Sequence, residues 1–241
     1  MQGLSRSIVE LIEIDGYFYV RKSGNVKRNI EQIHTLKSAG IRVPNVISES
    51  EDCFVMEYIP HQDIRNFLSV GNIHKFGHFL SDIFKVMSRD TVMKDYSHIY
   101  QNKLDLFPWT EFSLPFSKKA LYESLPKIIP KSLYHGDLTF DNILITHNES
   151  FFLIDPLVTD YDSYVFDLAK LKQDLICKWF LRNEKGRLDS KLMSLNQYLQ
   201  PFSTYSSNSL NILMLMRVLP YTNTSDDKSF LESEIERLWK S

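Results

Sequence analysis

The sequence has little of what marks secreted, membrane or nucleic-acid-binding proteins. Its 241 residues include two cysteines, Cys53 and Cys177, without metal-ligand spacing, so we expect free thiols in a reducing compartment. A formal net charge of −2 argues against a broad electrostatic surface for nucleic acid or membrane. No apolar run reaches membrane-spanning length, and the acidic N-terminal residues do not resemble a signal peptide. We therefore expect a cytoplasmic protein without nucleic-acid or membrane partners.

The first part of the chain has the pattern of strands followed by one helix. "SIVELIEI" and "YFYVRK" are rich in β-branched and aromatic residues, and the "DG" at Asp15–Gly16 between them is typical of a hairpin turn. The next segment, "NVKRNIEQIHTLKSAG", repeats apolar residues at helical spacing. "DCFVMEYI" then predicts another buried strand.

After Pro60 the pattern becomes helical. "NIHKFGHFLSDIFKVMSRD" predicts a long amphipathic helix, and the chain from 166 onward is almost wholly helical in pattern. Residues 91–116 fit no element clearly. The sequence thus predicts an α+β fold with a small β-rich N-terminal lobe, 1–59, and a larger helical C-terminal lobe, 60–241.

Polar residues of unusual density lie between apolar runs at 133–156. "LYHGDLTFDNILI" is followed by "FFLIDP", and the two apolar runs predict a hairpin that brings Asn142 and Asp155 near each other. Asp137 precedes Asn142 by five residues. Oxygen ligands of this kind suit Mg²⁺, and an aspartate without a metal ligand's role could accept a proton from a hydroxyl. Each residue alone could equally cap a turn, but the ordered spacing favours a site.

The combination "HGDLTFDNILI", "FFLIDP" and "FDLAKL" resembles the aminoglycoside phosphotransferase and choline kinase family, whose fold is similar to that of protein kinases. "HGD" in place of "HRD", Pro156 in place of a glycine, and the lack of an "APE" element indicate the small-molecule branch. The resemblance is strong over 133–172 and weaker over 8–60.

The resemblance implies a role for each residue of the motifs. Asp137 is the expected catalytic base, and Asn142 and Asp155 are the expected Mg²⁺ ligands. His135 braces the loop or is merely structural. Asp167 supports the loop or is a simple helix N-cap.

In the N-terminal lobe, "YFYVRK" resembles the strand whose lysine holds the nucleotide phosphates. Arg21 and Lys22 point to opposite faces of a strand, and Lys22 shares the apolar face, so we expect Lys22 to be the ligand. Glu31 on the following helix is its expected ion-pair partner. The main chain of Glu57, Tyr58 and Ile59 is expected to meet the adenine of ATP or of another nucleoside triphosphate.

Glycine is scarce where such a kinase needs a flexible turn over the phosphates. No glycine-rich loop stands between "SIVELIEI" and "YFYVRK". Only "GLSRS" at the start of the chain could supply one, through Gly3, Ser5 and Ser7, with Ser5 as the expected phosphate contact.

The acceptor is expected between Asp137 and the helical lobe. The segment "PLVTDYDSYVF" offers Asp160 and Asp162 for a cationic or sugar ligand, or it is an ordinary solvated loop. Arg217 is a lone arginine on an apolar helix, which could pair with an acidic substrate group or with an internal carboxylate.

The sequence therefore predicts an ATP- and Mg²⁺-dependent phosphotransferase that acts on a hydroxyl of a sugar, a sugar-like molecule or an amino alcohol. A kinase-like module that binds nucleotide or a partner without catalysis is the alternative, favoured by the missing glycine-rich loop. A protein kinase is disfavoured by "HGD", Pro156 and the absent activation segment. The sequence does not indicate the oligomeric state.

Overall fold

The computed structural model describes residues 7–183 and 188–241. The chain divides into two compact units, the first made of Met1–Asn72 and Asp141–Thr159 and the second of Ile73–Phe140 and Asp160–Ser241. This packing division places the predicted hairpin at 142–155 with the N-terminal residues. The predicted division into lobes 1–59 and 60–241 stays a prediction.

The described residues contain the following strands and helices. The strands are β1 (Ile8–Ile14), β2 (Tyr17–Ser23), β3 (Val46–Glu49), β4 (Cys53–Glu57), β5 (Val92–Asp95), β6 (Ile128–Lys131), β7 (Ile143–Ile145) and β8 (Phe151–Leu153). The helices are α1 (Lys27–Ser38), α2 (Ile64–Val70), α3 (Ile73–Met87), α4 (Ser97–Leu106), α5 (Lys118–Ser124), α6 (Tyr164–Leu175), α7 (Asp189–Tyr198), α8 (Asn208–Met216) and α9 (Ser225–Lys240). Short 3₁₀ turns connect several of them.

The first unit is built on an antiparallel sheet in the order β1-β2-β4-β3. The predicted hairpin is confirmed: Asp15 and Gly16 have φ of 52° and 80°, the left-handed values that a tight turn between twisted strands requires. Helix α1 packs its apolar face, which includes Ile30, Ile33 and Leu36, into the core.

The β7–β8 hairpin belongs to this same unit. It is antiparallel, as predicted, with Ile143 opposite Leu153. The backbone N–H of Leu153 donates to the carbonyl of Arg42 at 2.9 Å, and that of Gln62 donates to the carbonyl of Ile145 at 2.8 Å. These bonds tie both strands of the hairpin to the N-terminal residues.

The second unit is helical around two buried helices. Every residue of α6 is buried, and α8 is buried from Ser209 to Met216. Helix α6 packs against α8 and α7, and α8 also packs against α9. A helix that is buried on all sides lies at the centre of a core, so its polar side chains must find partners inside the protein.

The helical predictions for 72–90 and for the chain after 166 are confirmed within the described residues. The stretch 91–116, which the sequence left unassigned, contains β5, α4 and a short 3₁₀ turn, and β5 pairs with the distant β6. Among the described helices, none has the length and apolar character needed to cross a bilayer.

Candidate active site

Lys22 lies on the buried face of the first unit's sheet. It is only 3% exposed, and its Nζ contacts Oδ1 of Asp155 at 2.9 Å. Arg21 is exposed on the opposite face and pairs with Glu10 at 2.8 Å. The predicted orientation of the two cations is therefore confirmed. A buried lysine needs a counter-charge, and Asp155 supplies it.

Asp155 and Asn142 lie at the same end of the β7–β8 hairpin. The N–H of Ile154 donates to the carbonyl of Asn142 at 3.0 Å, which places Asp155 one residue beyond this contact. Asp155 has a φ of 54°, a left-handed conformation that is uncommon for a residue with a side chain. The hairpin thus brings Asn142 and Asp155 to one place, and the ion pair joins Lys22 to them.

The donor set at this hairpin end fits Mg²⁺. Asn142 and Asp155 offer amide and carboxylate oxygens, and the Asp155 side chain is 43% exposed. No group of three or more His, Cys, Asp or Glu in the described residues is arranged to hold a metal. A pair of oxygen donors is what Mg²⁺ uses when water and phosphate oxygens complete its coordination.

The structure does not form the expected ion pair between Lys22 and Glu31. Glu31 is exposed, because the inward face of α1 carries Ile30, Gln32 and Ile33 instead. Adjacent helical residues differ by about 100° in direction, so a phase error of one residue turns a side chain away from the core. Asp155, not Glu31, is the partner of Lys22.

The expected adenine-binding residues lie at the end of β4. The N–H of Glu57 donates to the carbonyl of Asn45 at 2.9 Å, so this group is already used. Tyr58 follows the strand with an exposed side chain, and the Ile59 carbonyl lies 2.8 Å from Nδ1 of His61. Adenine binding by Glu57, Tyr58 and Ile59 stays a prediction.

The phosphate-binding turn is not found where the resemblance would place it. β1 and β2 are joined by Asp15 and Gly16 alone. Ser5 and Gly3 lie outside the described residues, so the expected Ser5 contact also stays a prediction.

In the second unit, Asp167 holds the loop that carries Asp137. Its two carboxylate oxygens accept hydrogen bonds from the backbone N–H of His135, at 2.5 Å, and of Gly136, at 2.8 Å. Gly136 has a φ of 87°, which lets the chain turn sharply there. The alternative role as N-cap is wrong, because Ser163 caps α6 by accepting from the N–H of Val165.

Two further residues of α6 extend this support, and the sequence analysis missed both. Nζ of Lys170 contacts Oδ1 of Asp137 at 3.2 Å. The carboxylate of Asp174 accepts the N–H of Phe140 at 2.8 Å. Asp167, Lys170 and Asp174 are spaced at i, i+3 and i+7, so they lie on one face of the helix. The available signal was this spacing of ionisable residues, in a helix that also carries Lys172 and Gln173.

His135 is fully buried beside the loop. Its Nδ1 accepts a hydrogen bond from the backbone N–H of Asp137 at 3.3 Å, so the ring braces the backbone of Asp137. This contact agrees with the expected bracing role.

Opposite electrostatic effects act on Asp137 and Asp167. Burial alone would raise the pKa of Asp137, but the positive charges of Lys170 and Arg217 outweigh it and hold that pKa below the usual range. Complete burial raises the pKa of Asp167 to about 7, although backbone N–H donors oppose the shift. Asp137 is thus kept ionised, while Asp167 titrates near neutrality.

The two predicted acidic contacts for a substrate are engaged by lysines. Asp162 contacts Lys94 at 2.7 Å and Lys131 at 3.2 Å, and its side chain is only 13% exposed. Asp160 pairs with Lys103 at 3.0 Å on the surface. Asp162 therefore anchors its segment to the β5–β6 pair of strands.

Comparison with known proteins identifies a family and a set of similar folds. Residues 21–190 match the model of a family described as "phosphotransferase enzyme family". No curated protein sequence matches the chain.

Among solved structures, a thermostable mutant of aminoglycoside phosphotransferase APH(4)-Ia superposes with a TM-score of 0.65 and 10% identity, covering 100% of this chain and 92% of that one. Choline kinase LicA from Streptococcus pneumoniae gives 0.61 and 14%, covering 100% and 92%. A ternary complex of APH(4)-Ia with ADP and hygromycin B gives 0.62 and 11%, covering 97% and 90%. At these identities the likeness shows the fold, and the predicted kinase-like fold is confirmed.

Proposed function

The chain belongs to the phosphotransferase enzyme family, and we propose that it transfers the γ-phosphoryl group of ATP, or of another nucleoside triphosphate, to a hydroxyl of a small molecule. The proposed acceptors are sugars, sugar-like molecules and amino alcohols. The solved relatives include a complex with ADP and the small molecule hygromycin B, which supports both halves of the proposal.

The observation that carries the proposal is the electrostatic state of Asp137. Lys170 contacts its carboxylate, and positive charge keeps its pKa low, so the carboxylate is ionised at neutral pH. In the proposed reaction the acceptor oxygen forms a bond to the γ-phosphorus, and the bond from that phosphorus to the bridging oxygen breaks. ADP leaves with the electron pair, and the hydroxyl proton moves to Asp137.

The nucleotide is assigned to residues of the first unit. We propose that Lys22 binds its phosphates and that Glu57 to Ile59 bind the adenine through the main chain. Asn142 and Asp155 would hold Mg²⁺, which compensates phosphate charge when it is bound. Because Lys22 and Asp155 form an ion pair at 2.9 Å, the ammonium group of Lys22 already lies beside the proposed metal ligand.

We also propose that the protein works in the cytoplasm. Both Cys53 and Cys177 are free thiols, which is consistent with a reducing compartment.

The proposal is tested by measuring ADP release with Mg·ATP across a panel of sugars, amino alcohols and aminoglycosides. Asp137→Asn is expected to lower the acceptor-dependent rate by about 10²–10⁴ while Mg·ATP binding is retained. Asp141→Asn is the matched control, because Asp141 is an exposed aspartate of the same motif. Equal turnover by the Asp137→Asn variant and the wild type would refute the assignment of the base.

A second function is favoured by one observation, the short turn between β1 and β2. Asp15 and Gly16 leave no room there for a loop over the phosphates. A kinase-like module that binds nucleotide without transfer would show ATP binding by calorimetry but no acceptor-dependent ADP release from the wild type.

A further inference from the structure

Negative charge in the predicted substrate segment is already neutralised. Asp162 is held by Lys94 and Lys131, and Asp160 faces Lys103. A cationic acceptor would have to displace these lysines before either carboxylate could bind it. The segment 156–166 therefore has no surplus of negative charge to attract an amine.

Arg217 is a cation that meets no carboxylate among the residues the structure describes. It follows α8, the helix that packs against α6, and it is half-buried. Its guanidinium lies 5.2 Å from the ring centroid of Tyr161, and Nη1 lies 3.4 Å from Sδ of Met214. In the described part of its unit, no carboxylate lies within salt-bridge distance of Arg217. Arg217 is therefore partly withdrawn from water without the carboxylate that pairs most charges inside a protein.

The charge of Arg217 acts on the proposed base. It is one of the positive charges that lower the pKa of Asp137. Lys170, whose side chain is 9% exposed, contacts Asp137 and neutralises it. Lys170 on α6 already matches Asp137, and Arg217 ends the helix α8 that packs against α6, so the charge of Arg217 is left for another anion.

The chemistry of arginine narrows the class of ligand. The planar guanidinium matches the geometry of carboxylate and phosphate groups, to which it can donate two parallel hydrogen bonds. The ring of Tyr161, itself only 3% exposed, lies beside the guanidinium of Arg217 and restricts its movement. An arginine that lies beside an aromatic ring and meets no carboxylate among the described residues is suited to bind an anion.

We propose that the acceptor carries an anionic group, a carboxylate or a phosphate, in addition to its hydroxyl, and that Arg217 binds this group. Sugar acids, sugar phosphates and hydroxy acids are acceptors of this class. The inference rests on the proposed function, because it takes the hydroxyl beside Asp137 as the reacting group. Among the acceptors proposed above, it favours those that carry a negative charge.

The test compares ligands that differ in one group. One series is glucose, glucosamine, glucuronate and glucose 6-phosphate, and the other is glycerol, ethanolamine, glycerate and glycerol 3-phosphate. Calorimetry in the presence of ADP and Mg²⁺ gives the dissociation constant of each. We expect the acidic members of at least one series to bind about tenfold to a hundredfold more tightly than their neutral and amine counterparts, as charge-assisted hydrogen bonds allow. Comparison of glucuronate and glycerate with the two phosphate esters shows whether the site prefers a carboxylate or a phosphate.

Variants assign the preference to Arg217. Arg217→Gln should reduce the ratio of acidic to neutral affinity to near one, and Arg217→Lys should restore part of it. Arg182→Gln is the matched control: Arg182 also lies over an aromatic ring, that of Trp179 at 3.9 Å, but it is paired with Asp227 at 2.6 Å. The control should keep the full ratio, and circular dichroism should show each variant folded.

Three results overturn the inference. They are a preference for neutral or amine ligands, an unchanged ratio in Arg217→Gln, and no measurable binding of any acidic member. If a neutral or amine acceptor stimulates ADP release, and Asp137→Asn abolishes this release, the proposed phosphotransfer is supported and the acidic acceptor is refuted. Failure of the two ideas is therefore distinguishable.

Discussion

Replacing Asp167 by asparagine is expected to change how the stability of the protein depends on pH. Burial raises the pKa of Asp167 from 3.8 to about 7. Between these values the folded protein keeps a proton that the unfolded chain has lost. Because the folded state binds more protons, the free energy of unfolding contributed by Asp167 falls as the pH rises from about 4 to about 7.

The magnitude follows from the size of the shift. Each pKa unit corresponds to about 1.4 kcal/mol, so the shift from 3.8 to about 7 represents a loss of about 4 kcal/mol over this range. Asparagine does not ionise and shows no such loss. Its NH₂ group, however, faces one of the N–H donors of His135 and Gly136, which costs about 1–3 kcal/mol.

The two pH profiles should therefore cross. Asp167→Asn is expected to be less stable than the wild type near pH 4–5, and as stable or more stable above about pH 7. Urea-induced unfolding at a series of pH values measures this difference directly. Asp82→Asn serves as the control, because Asp82 is exposed on α3, and its profile should run parallel to that of the wild type.

A constant difference between Asp167→Asn and the wild type at all pH values would refute the reasoning. So would a wild type that gains stability relative to the variant as the pH rises. Either result would mean that the backbone N–H donors of the loop hold Asp167 ionised and outweigh its burial.

Three further predictions concern activity and nucleotide binding. Asp155→Ala should remove the Mg²⁺ dependence of ATP binding measured by calorimetry, and equal dependence in variant and wild type would contradict the metal site. Lys22→Ala should weaken ATP binding about tenfold to a hundredfold, whereas Arg21→Ala, which removes an exposed cation of the same strand, should not; similar losses in both would exclude a specific role for Lys22. Lys170→Gln removes a cation that lowers the pKa of Asp137, so the pH below which kcat/KM falls should move upward, and an unmoved limb would contradict this contact.

The parts of the fold that follow local signals were predictable from sequence. The turn at Asp15–Gly16 and the β7–β8 hairpin depend on residues close together in the chain, where turn chemistry and alternation of apolar residues decide the structure. The order and spacing of Asp137, Asn142 and Asp155 were likewise visible. The orientation of Lys22 could be inferred because the two faces of a strand alternate strictly.

Contacts between distant residues were not predictable in the same way. Strand β5 pairs with β6, which lies more than thirty residues later, and no local pattern marks that partner. Helix α6 is buried on every side, so the pattern of apolar residues does not indicate which of its faces meets the loop. The contacts of Lys170 and Asp174 therefore could not be predicted from this pattern. The resemblance suggested Glu31 as the partner of Lys22, but Glu31 lies on the exposed face of α1, and the sequence alone did not show that Asp155 would take its place.

The spacing of Asp167, Lys170 and Asp174 on α6 limits where the protein can tolerate an inserted or deleted residue. One inserted codon between 167 and 170 would rotate every later side chain of the helix by about 100° and move it about 1.5 Å along the axis relative to Asp167. The contacts to Asp137 and Phe140 would be lost together, since both depend on the same helical phase. Insertions and deletions should therefore be tolerated only outside this helix and the 135–140 loop.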